Sequence, residues 1–291
     1  MDRSALATIA QETMEILRVG AYDLPSGARV DLTAAIDRCN AGTREWQPDE
    51  LAQLESQVLG RAPKRAGTTV EVFNESTLAG AAELARVRRF QRVGVLNFAS
   101  ARRPGGGFLN GAAAQEESLA RSSALFASLS QVSEFYVAHR RLRDPRYSDR
   151  MIYSPGCPVF RDDSGALMSA PYAVDFITSA APNAGALSRR NSRAGLPAIL
   201  KQRAGKLLAL ACDQGCDALL LGAWGCGVFR NDPEVVSGVF GELLLPGGAY
   251  FGRFAHLRFS VLSSGEDQTN YLAFAGRFSE TGSATRSDRS S

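Results

Sequence analysis

The 291-residue sequence has few residues of the kinds that bind metals or form disulfide frameworks. Its two histidines, His139 and His256, lie far apart, and neither has Cys or Asp partners in motif spacing. The five cysteines are an odd number without the short spacings of a secreted scaffold: Cys39, Cys157, Cys212, Cys216 and Cys226. We therefore expect a protein of a reducing compartment that has no metal, no cofactor and no catalytic triad. We also expect that EDTA does not affect its activity.

Long hydrophobic runs are also missing. No apolar stretch approaches the ~20 residues that a membrane-spanning helix needs, and the N-terminus begins with an amphipathic pattern rather than a signal core. We expect a cytosolic protein that does not contact membranes. With 45% hydrophobic and 22% charged residues, the composition is that of a globular protein and excludes disordered, collagen and coiled-coil classes.

Lysine is scarce, whereas arginine is common: there are three lysines and 30 arginines. Arginine forks suit bidentate contacts with phosphate, although genome base composition is the better explanation of such a bias. The net charge of +3 is too small to indicate nucleic-acid binding, so we expect no direct contact with nucleic acid.

Helical spacing dominates residues 1 to about 66, with predicted helices at 4–17, 32–37 and 48–58. Strand and helix patterns then alternate. Strands are predicted at 68–73, 93–98, 151–153, 174–179, 218–222 and 255–261. Helices are predicted at 76–87, 115–130 and 196–211, and from Pro233 after an Asp232 cap. The polar, Ser-rich tail 279–291 is predicted to be disordered.

This alternation predicts an α/β sandwich with a sheet covered on both faces and a ligand at the carboxyl ends of its strands. The first candidate site is there: Asn97 ends a strand, Gly105-Gly106-Gly107 follow, and seven residues later comes Gln115-Glu116-Glu117. Glycines let backbone N–H groups approach phosphate or sugar oxygens. Adjacent glutamates repel each other, so one is a candidate proton donor with a raised pKa. Alternatively, both lie on a solvated first helical turn.

A second glycine-rich loop, 222–231, lies between a strand and the helix that begins at Pro233. Strand, loop and helix N-terminus together indicate an anion site, formed by Gly225, Cys226, Gly227 and Val228, although a tight structural turn fits equally well. The glycine spacing is neither the dinucleotide fingerprint nor a P-loop. Phe229 could cover a flat ring or pack in the core.

A third stretch, Thr178 to Asn183, ends a strand with small and polar residues beside the same face, where an ordinary loop is at least as good an interpretation.

Together these segments resemble the signature of poly(ADP-ribose) glycohydrolases, in which a triple glycine precedes Gln-Glu-Glu. The similarity extends from about residue 5 to 265 and is closest to shorter, bacterial-type members. The resemblance implies a macrodomain-like three-layer α/β/α sandwich with a mixed central sheet. It also implies a helical extension at 1–66 and an ADP-ribose-binding catalytic core at 67–278. Ser100 stands where typical macrodomains have a second asparagine.

The resemblance also implies roles for individual residues. Glu117 would be the general acid that protonates the departing ribose oxygen and then activates water, and Glu116 would hold the ribose hydroxyls. Asn97 would contact the distal ribose, and Phe229 would stack near the terminal ribose and adenine. The remaining residues implied to bind ADP-ribose are Gly105, Gly106, Gly107, Gln115, Thr178, Gly225, Cys226, Gly227 and Val228.

The expected substrate is poly(ADP-ribose) or an ADP-ribosylated protein, the expected product is ADP-ribose, and a monomer is the default expectation. Two alternatives share the pocket: a non-catalytic ADP-ribose reader, and a hydrolase of mono-ADP-ribosylated proteins. The acid pair argues against the reader because binding alone does not need it. A nucleotide-dependent oxidoreductase is a more distant alternative, since the dinucleotide fingerprint is missing.

Overall fold

The computed structural model describes residues 1–86, 90–187, 193–263, 265 and 267–279. The helices in this part of the chain are α1 (Arg3–Val19), α2 (Thr33–Gly42), α3 (Pro48–Leu59), α4 (Thr77–Arg86), α5 (Gln115–Ser122), α6 (Leu125–Leu129), α7 (Ser133–Arg141), α8 (Leu196–Asp213), α9 (Pro233–Leu244) and α10 (Thr269–Ser279). The strands are β1 (Ala21–Asp23), β2 (Arg29–Asp31), β3 (Arg44–Trp46), β4 (Thr69–Phe73), β5 (Val93–Phe98), β6 (Met151–Arg161), β7 (Leu167–Ser179), β8 (Ala218–Leu221) and β9 (His256–Ser260).

Seven strands form one mixed sheet in the order β3-β6-β7-β5-β8-β9-β4. The pairs from β7 to β4 are parallel, while β6 is antiparallel to both β3 and β7. β1 and β2 form a separate hairpin. The parallel part has its carboxyl ends along one edge, which is where open α/β sheets bind ligands.

Helices cover both faces of the sheet, because successive strand residues point to opposite sides. Leu96 and Leu219 pack with α3, α8, α9 and α10, whereas their neighbours Val95 and Leu220 pack with α2, α4, α5 and α6. The expected three-layer α/β/α sandwich with a mixed sheet is therefore confirmed. β9 is buried along its whole length rather than on alternate residues, because both of its faces are covered.

The N-terminal segment contains strands as well as the predicted helices. β3 joins the central sheet through β6, and α1 packs on the loop after β5: Arg3 Nε donates to Asn110 O at 2.8 Å. Thr13 Oγ1 donates to the Arg121 carbonyl of α5 at 2.6 Å. This segment therefore holds the glycine loop and α5 in place.

Two other predictions need correction, and two helices were missed. The continuous helix 115–130 is wrong, because the chain becomes extended at Ser123 and Ala124 N donates to Pro158 O of β6. The prediction of disorder from residue 279 is wrong at Ser279, which ends α10; 280–291 lie outside the described residues, as does Val87. α7 and α10 were not predicted. Among the helices described, none is long and apolar enough to cross a membrane.

Candidate active site

A cavity of about 620 Å³ lies at the carboxyl ends of the parallel strands. Its walls include the end of β5 at Phe98, the glycine loop after it, the first turn of α5, and the loop after β8. The volume lies in the ~300–1,000 Å³ range of small-molecule sites. The two glycine-rich segments, far apart in sequence, thus meet at one cavity.

Glu116 lies at the floor of this cavity and is only 3% exposed. Its carboxylate accepts the Ser100 backbone N–H at 2.6 Å and Asn97 Nδ2 at 3.2 Å. Burial, together with the charge of Glu117, raises the pKa of Glu116 to about 8 against the opposing effect of these hydrogen bonds. The raised pKa expected for one glutamate of the pair is that of Glu116, and its main cause is burial rather than repulsion between the two carboxylates.

Glu117 borders the same cavity but is more exposed than Glu116. Its Oε1 accepts the Gly107 backbone N–H at 2.9 Å, and Oε2 has no hydrogen-bond partner among the described residues. A fixed carboxylate with one oxygen available to a ligand is suited to proton transfer. Neither glutamate therefore fits the alternative interpretation of this pair, in which both lie on a solvated first helical turn.

Two residues of the triple glycine are required to be glycine by their backbone conformation, and one of them also by the carboxylate beside it. Gly105 and Gly106 have φ of +64° and +59°, a region that favours glycine. A Cβ on Gly106 would come within 2.2 Å of Glu117 Oε1. The loop therefore needs glycine to let the Glu117 carboxylate approach the backbone.

Two polar residues lie behind Glu116 rather than at the cavity surface. Asn97 and Thr178 are fully buried, and Asn97 Nδ2 donates to Thr178 Oγ1 at 3.1 Å as well as to Glu116. The Asn97 Oδ1 atom is buried and has no hydrogen-bond partner in the part of the chain that the structure describes. This pair orients the Glu116 carboxylate from the ends of β5 and β7.

Gln115 lines the cavity, yet its amide is bonded to the protein. Nε2 donates to Leu96 O at 2.8 Å and to Thr77 Oγ1 at 3.2 Å, while Oε1 accepts Phe98 N at 2.9 Å. Gln115 thereby fastens the start of α5 to the end of β5, which sets the position of the glutamate pair.

The loop after β8 presents free backbone donors. The N–H groups of Gly225, Gly227, Val228 and Phe229 make no hydrogen bond to any described residue, whereas Cys226 N donates to Ala223 O at 3.1 Å. The helix N-terminus itself is capped, because the Asp232 side chain accepts Glu234 N at 2.9 Å. The donors available to an anion are thus on the loop rather than on α9.

Most sequence-predicted site residues line the cavity: Gly106, Gly107, Gln115, Glu116, Glu117, Gly225, Gly227, Val228 and Phe229. The others are near it but do not line it: Asn97, Gly105, Thr178 and Cys226. Phe229 is half-buried beside Tyr147, with ring centroids 5.9 Å apart, and Val228 is 77% exposed at the rim. Burial raises the pKa of the Cys226 thiol to about 12, so it is not a nucleophile at neutral pH.

The sequence interpretation missed several lining residues, among them Arg103, Glu75 and Asn270. Arg103 lies between the end of β5 and the triple glycine, and this proximity was an available signal. Glu75 and Asn270 come from distant segments, and nothing in their local sequence indicates a site. In the described ranges, no group of three His, Cys, Asp or Glu residues could hold a metal ion.

Comparison with known proteins supplies the family. Residues 10–162 match the model described as microbial-type PARG, catalytic domain. No match was found among curated protein sequences.

Solved structures align with nearly the whole chain. The poly(ADP-ribose) glycohydrolase (PARG) from Thermomonospora curvata is 48% identical, with 95% of this chain and 100% of that chain covered and a TM-score of 0.92. Its complex with the inhibitor ADP-HPD has the same identity and coverage, with a TM-score of 0.89. The enzyme from Deinococcus radiodurans in complex with ADP-ribose is 39% identical, with 89% and 100% covered and a TM-score of 0.80.

The resemblance inferred from the Gly-Gly-Gly and Gln-Glu-Glu segments is therefore confirmed, as is the macrodomain-like fold. The chain belongs to the microbial-type poly(ADP-ribose) glycohydrolase family and is a glycohydrolase.

Proposed function

We propose that the enzyme hydrolyses the ribose–ribose O-glycosidic bond of poly(ADP-ribose) in the cavity beside Glu116 and Glu117 and releases ADP-ribose. The relatives provide chemical support, since one binds ADP-ribose and another the inhibitor ADP-HPD. The observation that carries the proposal is the Glu117 carboxylate, fixed by Gly107 N at 2.9 Å with its second oxygen available at the cavity.

Glu117 acts first as an acid and then as a base. Protonated Glu117 donates its proton to the departing ribose oxygen as the C–O bond breaks and positive charge develops on the sugar. The resulting carboxylate then removes a proton from water, whose oxygen bonds to the anomeric carbon. This returns the proton to Glu117 and closes the cycle.

Glu116 holds the ribose. With its pKa raised to about 8 by burial, it remains largely protonated at neutral pH and can donate a hydrogen bond to a ribose hydroxyl. The same pKa makes Glu116 the competing candidate for the acid. We assign the acid to Glu117, because its Oε2 has no hydrogen-bond partner among the described residues and it lines the cavity, whereas both oxygens of Glu116 are held by Ser100 and Asn97.

The second loop binds the diphosphate. The N–H groups of Gly225, Gly227 and Val228, which have no partner among the described residues, provide donors for its oxygens, and the diphosphate in turn stabilises the developing cation. The ring of Phe229 covers the terminal ribose and adenine. Asn97, Gly105, Thr178 and Cys226 act behind this surface as positioning residues rather than as contacts.

Further proposals rest on the sequence alone. We propose that the enzyme is monomeric, cytosolic and bacterial, and that it reverses ADP-ribosylation, including in the DNA damage response. We also propose that residues 1–66 form an extension on a core of residues 67–278. No contact with nucleic acid is proposed.

The substrate proposal is tested by offering the purified enzyme poly(ADP-ribose)-modified protein and the same protein carrying single ADP-ribose groups. We expect rapid release of ADP-ribose from the polymer and a residual single group on the acceptor. Equal release from both would favour mono-ADP-ribosyl hydrolysis. Binding of ADP-ribose without release from either would identify a reader.

A further inference from the structure

A second cavity of about 460 Å³ lies beside the active-site cavity. Ser100 and Phe229 line both cavities, so these two residues form a shared wall. The other side is lined by Arg102, Arg143 and Asn183, among others. Ser100 connects the second cavity to the glutamate pair, because it lines that cavity and its backbone N–H donates to Glu116 at 2.6 Å.

Two arginines, Arg102 and Arg143, line the second cavity. Arg102 and Arg143 are exposed, and neither forms an ion pair with a carboxylate in the described part of the chain. The neighbouring Arg146, by contrast, pairs with Asp144 at 2.6 Å. Arg140 adds a further cation and fixes the loop, since its Nη1 donates to the Arg102 carbonyl at 2.9 Å.

The walls of the second cavity are held by specific backbone contacts. Asn183 N donates to Pro145 O at 2.8 Å, and Gly185 N donates to Phe229 O at 2.9 Å. Tyr147, which lines the cavity, has φ of +57°, which is unusual for a residue other than glycine. Such strained conformations persist where the surroundings impose them, and they cluster at ligand sites.

We propose that this second cavity binds the diphosphate of the ADP-ribose unit on the leaving side of the scissile bond. This proposal rests on the proposed function. The terminal unit fills the first cavity, with its own diphosphate on the 225–228 loop, so the remaining chain must leave the glutamates in another direction. A path across Ser100 leads into a cavity where two guanidinium groups can bind phosphate oxygens through paired hydrogen bonds.

The test compares wild type with the double variant Arg102→Gln/Arg143→Gln on a purified chain of two ADP-ribose units. This chain is the shortest substrate with a diphosphate on its leaving side. We expect kcat/KM to fall roughly tenfold, mainly through KM, and to depend less steeply on salt concentration. The dissociation constant of free ADP-ribose, measured by calorimetry, should stay within about a factor of two of the wild-type value, which is the size of effect expected for an exposed charge that does not contact the ligand.

The matched control is Arg38→Gln/Arg86→Gln, which removes the same charge from exposed positions that line neither cavity. It should retain wild-type kcat/KM and salt dependence. The proposal is overturned if the Arg102/Arg143 variant cleaves the two-unit chain like wild type, or if it loses affinity for free ADP-ribose by the same factor. If duplex DNA competitively inhibits wild type but not the Arg102/Arg143 variant, the surface binds nucleic acid instead. Failure of wild type to cleave the chain would reject the proposed function itself, independently of the variants.

Discussion

Ser100 and Glu116 are joined by a 2.6 Å hydrogen bond from the Ser100 backbone N–H to the Glu116 carboxylate. This bond ties the chain just beyond β5 to the first turn of α5. Together with the donor from Asn97, it holds a carboxyl group that burial keeps largely protonated at neutral pH. The strand end, and not only the helix, therefore determines the position and the chemistry of the glutamate pair.

The pKa of about 8 at Glu116 predicts the alkaline side of the pH–rate profile. Above this pH the carboxyl loses the proton that it donates to the ribose, so kcat/KM for the polymer should fall. Glu116→Gln should retain part of the activity, because the amide also donates a hydrogen bond, and its profile should be flat between pH 7 and 9. An unchanged alkaline decline in this variant would assign the titration to another group.

The same pKa predicts how stability depends on pH. The ordinary value is 4.5 and the folded value is about 8, so between these values the folded chain binds the proton more tightly than the unfolded chain. The contribution of Glu116 to stability is complete below pH 4.5 and is lost as the pH rises to about 8. The Tm of Glu116→Gln relative to wild type should therefore rise by roughly 5 °C from pH 5 to pH 8, then level off. A constant difference in Tm, measured by scanning calorimetry, would contradict the assignment.

Asn97 should act on the rate through Glu116. Its Nδ2 donor favours the charged form of that carboxylate, so Asn97→Ala should shift the alkaline decline to higher pH and lower kcat. Thr178→Val is the matched control, because it removes the other partner of Asn97 and leaves the bond to Glu116 in place. Equal shifts in both variants would indicate a general loss of packing. A higher KM with an unchanged pH profile in Asn97→Ala would instead favour direct contact with the ribose.

Gly106→Ala should disable the enzyme. The added Cβ meets Glu117 Oε1 at 2.2 Å, so the carboxylate must move, and a displacement of this order costs about a hundredfold in kcat. Gly156→Ala is the control for backbone strain, since Gly156 has a similar φ of +55° but an open space around its Cβ position. Both variants should lose similar stability in urea unfolding, and only Gly106→Ala should lose activity. Comparable activity in the two would show that the glycine loop does not set the position of Glu117.

The sequence analysis singles out the two glycine-rich segments and the Glu-Glu pair, which the structure brings together at one cavity. The triple glycine could be recognised because a loop that approaches carboxylates closely has no room for side chains. The Glu-Glu pair could be recognised because two adjacent acids repel each other. The buried positions behind the cavity surface were not predictable. Asn97 was expected to touch the ribose, yet its burial and its bonds to Glu116 and Thr178 depend on how β5 and β7 pair.

Tertiary contacts also explain the incorrect parts of the fold prediction. Local spacing continues the helix through Ser123, but an isolated bridge to Val159 of β6 stops it there. β3 has three residues and therefore no detectable alternation; only its pairing with β6 defines it. β6 is far longer than predicted. Pro155 and Gly156 resemble a turn in the sequence, which ended the predicted strand early. In the structure the strand continues through them, because a bulge between Ser154 and Cys157 accommodates both residues.

The most direct test of the account is to incubate wild type and Glu117→Gln with poly(ADP-ribose)-modified protein and to measure free ADP-ribose by chromatography. We predict release by wild type only, with the calorimetric affinity for ADP-ribose nearly equal in the two proteins. Release by Glu117→Gln at a rate near that of wild type would contradict the assignment of Glu117 as the acid.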